Sequence, residues 1–503
     1  MNLNNQKIIE DFPINNSVKK IEKLANELIT ISKISKQKYP FKLEYLKKMI
    51  NKWEEFPNKY IIHLLDFPDN FIVEFNHKGI TKLREVYDYF KLIGLDRLKR
   101  NYDINIYLIY NVLDSPNTKG LSVKFLRRLN NFVKQCKLQI LDIFHLEKDV
   151  SKVKSGGRSK FLRLKNGLPL YINEDKWGAI FGVILDSYLK RFKFCSIDKN
   201  AIKDLNKYIK SIGITSKILK NKDIFYTGDH SLLSEILYLG GIDTKKIQVI
   251  SNNSIPAWIF TNTSKNFQAL LLGKIIETEG CAPNKNGIVR IAQSVKMDFS
   301  NQEKEIILTK SIPHFINKKK SVATYFQKVS ESLKQKIIGN PPLILVSIQL
   351  LLRKNKINSG LIPLRITKGK RGIWTVYWHL NIINYKNIQR LFDFCNMFLI
   401  SKRQGFISYL DGIERKILPN NLRFQYYLSN AYYIQQTKGY FTSKNLIERT
   451  QKKTKTIHNT VGVLAQKNFI QLNKMSNNQK EWKLTKKGLE VIEENYEGII
   501  DLF

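Results

Sequence analysis

Leu270–Cys281 reads LLLGKIIETEGC, an apolar run that opens onto Glu277, Glu279 and Gly280. An apolar helix buries its length in a core, where a carboxylate without a partner is costly. A helix that carries Glu279 to its tip, with Gly280 to turn the chain, is built to hold that charge at one place. Upstream stands a second version, Trp177–Lys190, WGAIFGVILDSYLK, expected as an apolar helix ending in Asp186 and followed by the small Ser187. Each carries a small pair at i and i+4, Gly178/Gly182 in one and Ala269/Gly273 in the other. Such pairs let two helix backbones come close, which brings both tips to one seam. Two carboxylates meeting there are the donor set of a divalent-metal site, so Asp186 and Glu279 are expected to hold Mg2+ or another divalent cation.

The wider composition points to the partner. Lys and Arg number 84 against 43 Asp and Glu, a net charge of +41 over 503 residues. A surplus of that size calls for a polyanion. The cations are spread along the chain, which favours a long nucleic-acid footprint over a membrane anchor. With 43% hydrophobic and 11% aromatic residues the chain builds real cores and is no disordered tail. Its length suits three or four domains. Four cysteines lie far apart without a C-x-x-C pair, which excludes the usual zinc spacing and suggests reduced thiols in the cytoplasm. No apolar run reaches membrane-spanning length, so a cytoplasmic protein with no membrane partner is expected.

Outward from the two helices, residues 171–415 read as two repeats of an αββα type. In the first, the Trp177 helix precedes a strand around Leu189–Cys195, a helix Ala201–Ile212, a hairpin through Lys217–Tyr226 turning at Asn221–Lys222, and a helix near Leu232–Leu239. In the second, the Glu279 helix precedes a strand Ile288–Gln293, a long irregular insert and a helix near Ser347–Lys354. A hairpin of Ile362–Ile366 and Trp374–Leu380 and a helix Asn387–Leu399 complete it. Lys190, Arg191 and Lys193 in one repeat, and Arg290, Arg365, Lys368, Lys370 and Arg371 in the other, fall on or beside these strands. A β-ribbon can enter the major groove and set Arg or Lys on base edges and phosphates, so these residues are expected to bind DNA. Residues 1–120 read as mostly helical, through Ile21–Ile34, Phe41–Trp53 and Lys82–Leu92, with no legible chemistry. Residues 121–165 read as a helix-turn-helix-like segment, Leu121–Cys136 with Ser122 as its cap, and a basic linker from Lys152.

At these residues the chain resembles the LAGLIDADG homing endonucleases in their single-chain, two-repeat form. Leu272–Gly280 (LGKIIETEG) follows the family's nine-residue motif with Glu279 at the metal carboxylate. Ile255–Phe260 (IPAWIF) is similar to the approach to the second motif helix, and GVILDSYLK is a degenerate first motif. The resemblance implies an α+β fold of two pseudo-symmetric αββαββα repeats, residues 166–268 and 269–415, packed through their motif helices with two sheets in the DNA major groove. It also implies a basic residue after each repeat's last helix assisting the chemistry, here Lys402 and either Lys245 or Lys246. Other registers pair Asp186 with Glu277, or put Ser187 in the first metal position; the reading keeps Asp186 and Glu279.

The C-terminal region, residues 421–503, resembles a winged helix-turn-helix, with helices at Tyr426–Gln436, Thr442–Thr450 and Thr454–Gln466. A hairpin around Ser476-Asn477-Asn478 and a closing helix Thr485–Tyr496 follow. Lys452, Lys453, Lys455, Thr456, His458 and Asn459 would face DNA, with Lys474 and Lys480 on the wing. The chain carries neither a starting nucleophile nor a closing His-Asn pair, so a free-standing protein rather than an intein is expected. The function expected is that of a monomeric, magnesium-dependent, sequence-specific endonuclease of double-stranded DNA. The alternative is a DNA-binding transcriptional regulator on a scaffold that no longer cleaves.

Overall fold

A computed structural model describes the chain apart from residues 1–13, 35–36, 116–118, 137–142, 156–160, 215, 229, 246–252, 284–286, 317–318, 370–371, 396–399, 418–419, 477–478 and 494–503. The architecture is α+β, helices with small antiparallel sheets, in two units, Met1–Phe406 and Ile407–Phe503.

Unit 1 opens with two amphipathic helices, α1 (Ile14–Ile34) and α2 (Leu43–Glu54). Next come β1 (Ile61–Ile62), β2 (Ile72–Phe75), α3 (His77–Ile93), α4 (Leu95–Tyr102), α5 (Tyr107–Asp114), β3 (Leu121–Ser122), α6 (Val123–Gln135), α7 (Ile143–Glu147), β4 (Val150–Lys154), β5 (Phe161–Arg163) and β6 (Leu170–Tyr171). Ser122 caps α6 as its sequence implies, accepting from the Phe125 N–H. The basic linker expected after it is corrected: β4 and β5 extend a four-stranded sheet of order β3-β2-β4-β5. The cations of this stretch serve the sheet, since Lys152 and Lys154 bind Glu74 on β2 at 2.6 and 2.9 Å. The helix-turn-helix expected over 121–165 is corrected too. Arg127 binds Asp69 and the Leu65 and Phe67 carbonyls, Arg128 binds Asp103, and α6 leads into α7 and a strand.

The central part continues with α8 (Asp175–Gly182), β7 (Ser187–Tyr188), β8 (Lys193–Ser196), α9 (Lys199–Ser211), β9 (Ile218–Asn221), β10 (Ile224–Thr227) and α10 (Ser231–Leu239). Their sheet runs β7-β8-β10-β9. Two expectations fail here. The first motif helix stops at Gly182, and Ile184–Asp186 form a tighter 3-10 turn. The expected strand from Leu189 starts only at Lys193. Leu189 and Phe192, both buried and three residues apart, draw Leu189–Arg191 into a 3-10 turn that ends on Phe192 in a left-handed backbone. Lys190 and Arg191 therefore ride on a turn.

After α11 (Ala257–Thr261) come α12 (Lys265–Glu279), β11 (Gly280–Cys281), β12 (Ile288–Lys296), α13 (Asn301–Thr309), β13 (Ile312–Ile316), β14 (Lys319–Tyr325), α14 (Glu331–Ile338), α15 (Leu343–Lys354), β15 (Gly360–Lys368), β16 (Trp374–Ile383) and α16 (Tyr385–Phe394). This sheet runs β11-β12-β16-β15-β14-β13. The irregular insert expected between Gln293 and Ser347 is thus folded. Ser300 and Glu303 form a capping box on α13, and β13–β14 widen the sheet. The helices α1 and α2 belong to this core. Tyr45 donates to the Ile338 carbonyl at 2.7 Å, Trp53 Nε1 to the Ile255 carbonyl at 2.9 Å, and Arg353 pairs with Glu27. Among the described residues no single helix is long and apolar enough to cross a membrane. Only α14 with α15 passes by length and composition, as a pair bent by 64°, and α15 is buried almost throughout.

The helix α17 (Ile400–Ile417) runs across the boundary between the units. Unit 2 then holds α18 (Asn420–Lys438), α19 (Ser443–Thr450), α20 (Thr454–Gln466), β17 (Ile470–Ser476), β18 (Gln479–Leu484) and α21 (Lys486–Glu493). Phe441 bridges to Trp482, and Leu428, Phe441, Leu446, Ile457, Leu464 and Ile470 centre a core of its own. Three helices, a hairpin and a further helix occur in the order the sequence implies.

Candidate active site

The helices α8 and α12 lie side by side and run the same way. At their starts, Ser264 caps α12 by accepting from the Phe267 N–H, and its hydroxyl donates to Asp175 at the head of α8. Along the seam a Cβ at Gly178 would stand 2.3 Å from the Phe267 carbonyl oxygen. One at Gly182 would stand 2.6 Å from that of Leu271 and 2.5 Å from the Lys274 Cβ. Both glycines are therefore required for backbone approach. The partner positions are Phe267, Leu271 and Lys274, and not the expected Ala269/Gly273 pair. Gly178 faces Phe267 and Gly182 faces Leu271, so the paired positions advance together; α8 ends there, and the 3-10 turn Ile184–Asp186 continues along α12, which runs on to Glu279.

At that end, Ser187 closes the 3-10 turn by donating to the Val183 carbonyl at 2.7 Å and leaves Asp186 exposed. Glu279 ends α12, and the next residue, Gly280, pairs with Ile291 of β12. Burial, reinforced by the nearby Asp186 carboxylate, raises the Glu279 pKa to about 7, with Lys402 opposing. Burial raises Asp186 as well, again opposed by Lys402. Lys402 itself is lowered by burial and held up by Glu277, Cys281, Glu279 and Asp186. The three expected residues thus share one electrostatic site.

Lys402 arrives because α17 packs tightly on the segment after Cys281; a Cβ at Gly405 would lie 2.6 Å from that of Ala282. Its ammonium donates to the carbonyls of Ile276 at 2.8 Å, Gly280 at 2.7 Å, and Glu277. An ammonium has three N–H bonds, and all three are engaged in capping α12. Lys402 is therefore placed to hold the tip and to set a positive charge beside the carboxylates.

Glu277 does not reach the tip. It is buried in an ion pair with Lys274, which also binds Asp204 of α9. Burial, with Asp204 and Glu277 near, pushes Tyr208 up to about 12. Ser187 is buried and its hydroxyl is spent on the turn, which leaves Asp186 with Glu279. Lys245 stands apart from these carboxylates, 3.7 Å over the Tyr238 ring and beside Glu235; Lys246 lies outside the described residues.

The donor set bears on the metal. Two carboxylates share the tips with the one ammonium of Lys402, burial and then the Asp186 charge raise the Glu279 pKa to about 7, and hard oxygen donors suit Mg2+ or Ca2+. Among the described residues no group of three or more His, Cys, Asp or Glu is placed to hold a metal. An ion bound here would take its other ligands from water and from a phosphate.

The sheets differ in what they present. Along β16 the side chains alternate, Trp374, Val376, Trp378, Leu380 and Ile382 buried and the residues between them half-exposed. Cross-strand pairing puts Arg290 opposite Asn381 and Arg365 opposite Tyr377, all on that half-exposed face. Arg365 stacks on Tyr377 at 4.7 Å. Burial and the two arginines push His379 down to about 4, so it is neutral at physiological pH. Arg290 Nε, Arg365 Nε and Asn381 Oδ1 have no hydrogen-bond partner among the described residues. His379, Tyr377 and Asn381 were missed from sequence, though the alternation in WTVYWHLNI carries the signal. Lys368 ends β15 over Trp374, and Lys370 and Arg371 lie outside the described residues. In the first sheet Lys193 sits 4.1 Å from the Tyr226 ring. In unit 2, Lys453, Lys455, His458 and Asn459 are exposed, while Lys452 and Thr456 are half-exposed. Gly462 lies on the exposed side of α20 with nothing within 4 Å of where a Cβ would stand.

No known protein family and no curated protein sequence matches the chain.

Proposed function

We propose that the chain is a sequence-specific endonuclease of double-stranded DNA on a two-repeat LAGLIDADG scaffold. The observation that carries this reading is the approach of Asp186, on the 3-10 turn after α8, to Glu279 at the tip of α12, with Lys402 beside them, where the two helices pack through Gly178 and Gly182. Strand order supports the repeat. With β13 and β14 set aside and the remaining strands numbered within each half, β7-β8-β10-β9 and β11-β12-β16-β15 both run first, second, fourth, third, each after a motif helix.

Asp186 and Glu279 would hold Mg2+ between them. The bound ion would lower the pKa of a water and neutralise charge on the scissile phosphate. Asp186 is exposed and Glu279 and Lys402 are half-exposed, so a phosphate could reach the tips, where Lys402 would set a positive charge beside it. Because its N–H bonds are spent on Ile276, Glu277 and Gly280, Lys402 acts by position and charge, as a positioning residue. Arg290, Arg365 and Lys193 contact the duplex, with Lys190 and Arg191 at the flanking turn. Unit 2, a winged helix by its element order, adds a second contact through α20 and the β17–β18 hairpin.

The test is selection of bound sites from a random duplex library, followed by incubation of the selected DNA with Mg2+. Cleavage of both strands within the bound site, lost in Glu279→Gln with binding kept, is the expected result. Specific binding with no cleavage under any divalent cation would leave the second reading, a DNA-binding regulator. That reading is favoured by the early end of α8, which leaves Asp186 on an exposed 3-10 turn.

A further inference from the structure

The N-terminal part of unit 1 holds a pair of short helices whose outer face the sequence did not disclose. The helices α4 and α5, eight residues each, are joined by the four residues 103–106, and Asp103 takes a left-handed backbone at φ 53°. The long helix α3 packs on both of them, with Leu83, Val86 and Phe90 buried against the inner positions Leu98, Ile104, Ile106, Ile109 and Val112. That packing consumes one side of α5 and leaves Tyr107, Leu108, Tyr110 and Asn111 outward; Tyr107 is 44% and Tyr110 50% exposed. Tyr87 stacks beside Tyr110 at 5.8 Å, which steadies its ring. Charge on the adjoining surface is mixed, with Glu85 and Asp88 of α3 and Asp114 of α5 exposed. The turn's acid, Asp103, is taken by Arg128, whereas Lys99 and Arg100 in the last turn of α4 are exposed and have no ion pair among the described residues.

We propose that α4 and α5 form a helix-turn-helix that binds duplex DNA, with Tyr107, Tyr110 and Asn111 of α5 at base edges and Lys99 and Arg100 on the phosphates. Two short helices across a four-residue turn, braced by a third, form the unit that lays its second helix in a major groove. Asn makes paired hydrogen bonds to adenine, and tyrosine hydroxyls reach bases or phosphates. The exposed tyrosine rings, costly in water, would be covered in a groove, and Lys99 and Arg100 would meet a partner of opposite charge. The inference rests on the DNA-binding reading of the whole chain and lengthens its footprint by one module.

The experiment uses the full chain and a duplex obtained by selection, footprinted with wild type and two double variants, Tyr110→Ala/Asn111→Ala and Lys99→Ala/Arg100→Ala. All four positions are exposed, and unchanged circular dichroism and melting confirm folding. The first double should erase protection over one flank of the footprint and weaken binding about tenfold, with the cut position unmoved. The second should flatten the dependence of log affinity on log salt by roughly 1.8, two phosphate contacts at about 0.9 each. If both doubles keep the wild-type footprint, affinity and salt slope while Arg290→Ala weakens binding, this inference is wrong and the endonuclease reading stands. If wild type selects and protects no DNA, both fall.

Discussion

The sheet that follows Asp186 and the sheet that follows Glu279 share a strand order once β13 and β14 are set aside, but not a strand length. In the first, β8, β9 and β10 have four residues each; in the second, β12 and β15 have nine, β16 has ten, and β13 and β14 widen the edge. A four-residue strand spans roughly 13 Å and a ten-residue strand roughly 33 Å. Only the second half can therefore present a long row of side chains to a groove. The first half contributes Asp186 and the two glycines that let α12 approach. Catalysis would need both halves, while recognition would lean on the second.

The largest expected effect tests the shared part. Glu279→Gln keeps the shape of the side chain and removes its charge, so cleavage should drop on the order of a thousandfold or more, several kcal/mol of barrier. Asp186→Asn should do the same if both carboxylates serve one ion. Single-turnover cleavage of a selected duplex measures each. A near-wild-type rate for Asp186→Asn would break the comparison by making the first half a scaffold only.

Proton linkage at the same seam comes next. With a folded pKa of about 7 against an ordinary 4.5, Glu279 holds a proton in the folded state that the unfolded chain has released. Metal-free stability should therefore fall as pH rises from about 4.5 to about 7 and then level, by on the order of 3 kcal/mol. Glu279→Gln should flatten this dependence, and Mg2+ should restore stability above neutral pH and not below it. Melting at about pH 5 and about pH 8, with and without the ion, decides. Identical profiles for wild type and Glu279→Gln would show that the seam does not strain the carboxylate.

Much of the site was legible because its chemistry is local. Apolar runs ending in Asp186 and Glu279, with Gly178 and Gly182 at i and i+4, are readable from spacing alone. The failures arose where distant pairing decides. Strands β4 and β5 look like a basic linker until Glu74 on β2 supplies the partner for Lys152 and Lys154. Leu189 and Phe192 look like one face of a strand until both are buried around a 3-10 turn. The capping box of Ser300 and Glu303 was local and was overlooked. That Lys402 spends its donors on the α12 carbonyls could not be read from a position more than a hundred residues away.

Packing at the seam gives the next prediction. Gly182→Ala forces a Cβ to 2.6 Å from the Leu271 carbonyl oxygen and 2.5 Å from the Lys274 Cβ, in a stretch where both helices are buried. Overpacking of this kind costs about 1–3 kcal/mol. The melting temperature should fall, and cleavage should fall further than binding because the tips part. An unchanged melting temperature would mean that the helices separate without cost.

The unequal sheets are probed directly by Arg290→Ala and Lys193→Ala. Arg290 stands on the long face beside His379 and Asn381, with Nε lacking a partner among the described residues, whereas Lys193 already rests on the Tyr226 ring. Loss of a base contact costs about 1–3 kcal/mol of discrimination. Arg290→Ala should lose that amount and relax specificity at one position. Lys193→Ala should weaken binding evenly across sequences. The reverse ranking in competition binding would place recognition in the shorter sheet.

The smallest effect is expected in unit 2, at Gly462. Glycine within a helix costs about 1 kcal/mol relative to alanine, because more backbone freedom is lost on folding. At Gly178 and Gly182 neighbouring backbone explains that cost. At Gly462 nothing among the described residues, the helix's own backbone apart, lies within 4 Å of the missing Cβ, and the residue sits one turn beyond the exposed His458 and Asn459. The requirement for a bare backbone there, if the residue serves binding, comes from a partner that approaches α20 closely, such as the wall of a DNA groove. Gly462→Ala should therefore stabilise unit 2 by about 0.5–1 kcal/mol and yet weaken DNA binding. Denaturation of the full chain gives the first quantity and titration with a selected duplex the second. Stabilisation with unchanged affinity would mean that α20 never meets the duplex along this side, and the exposed lysines before it would then act from the end of the helix alone.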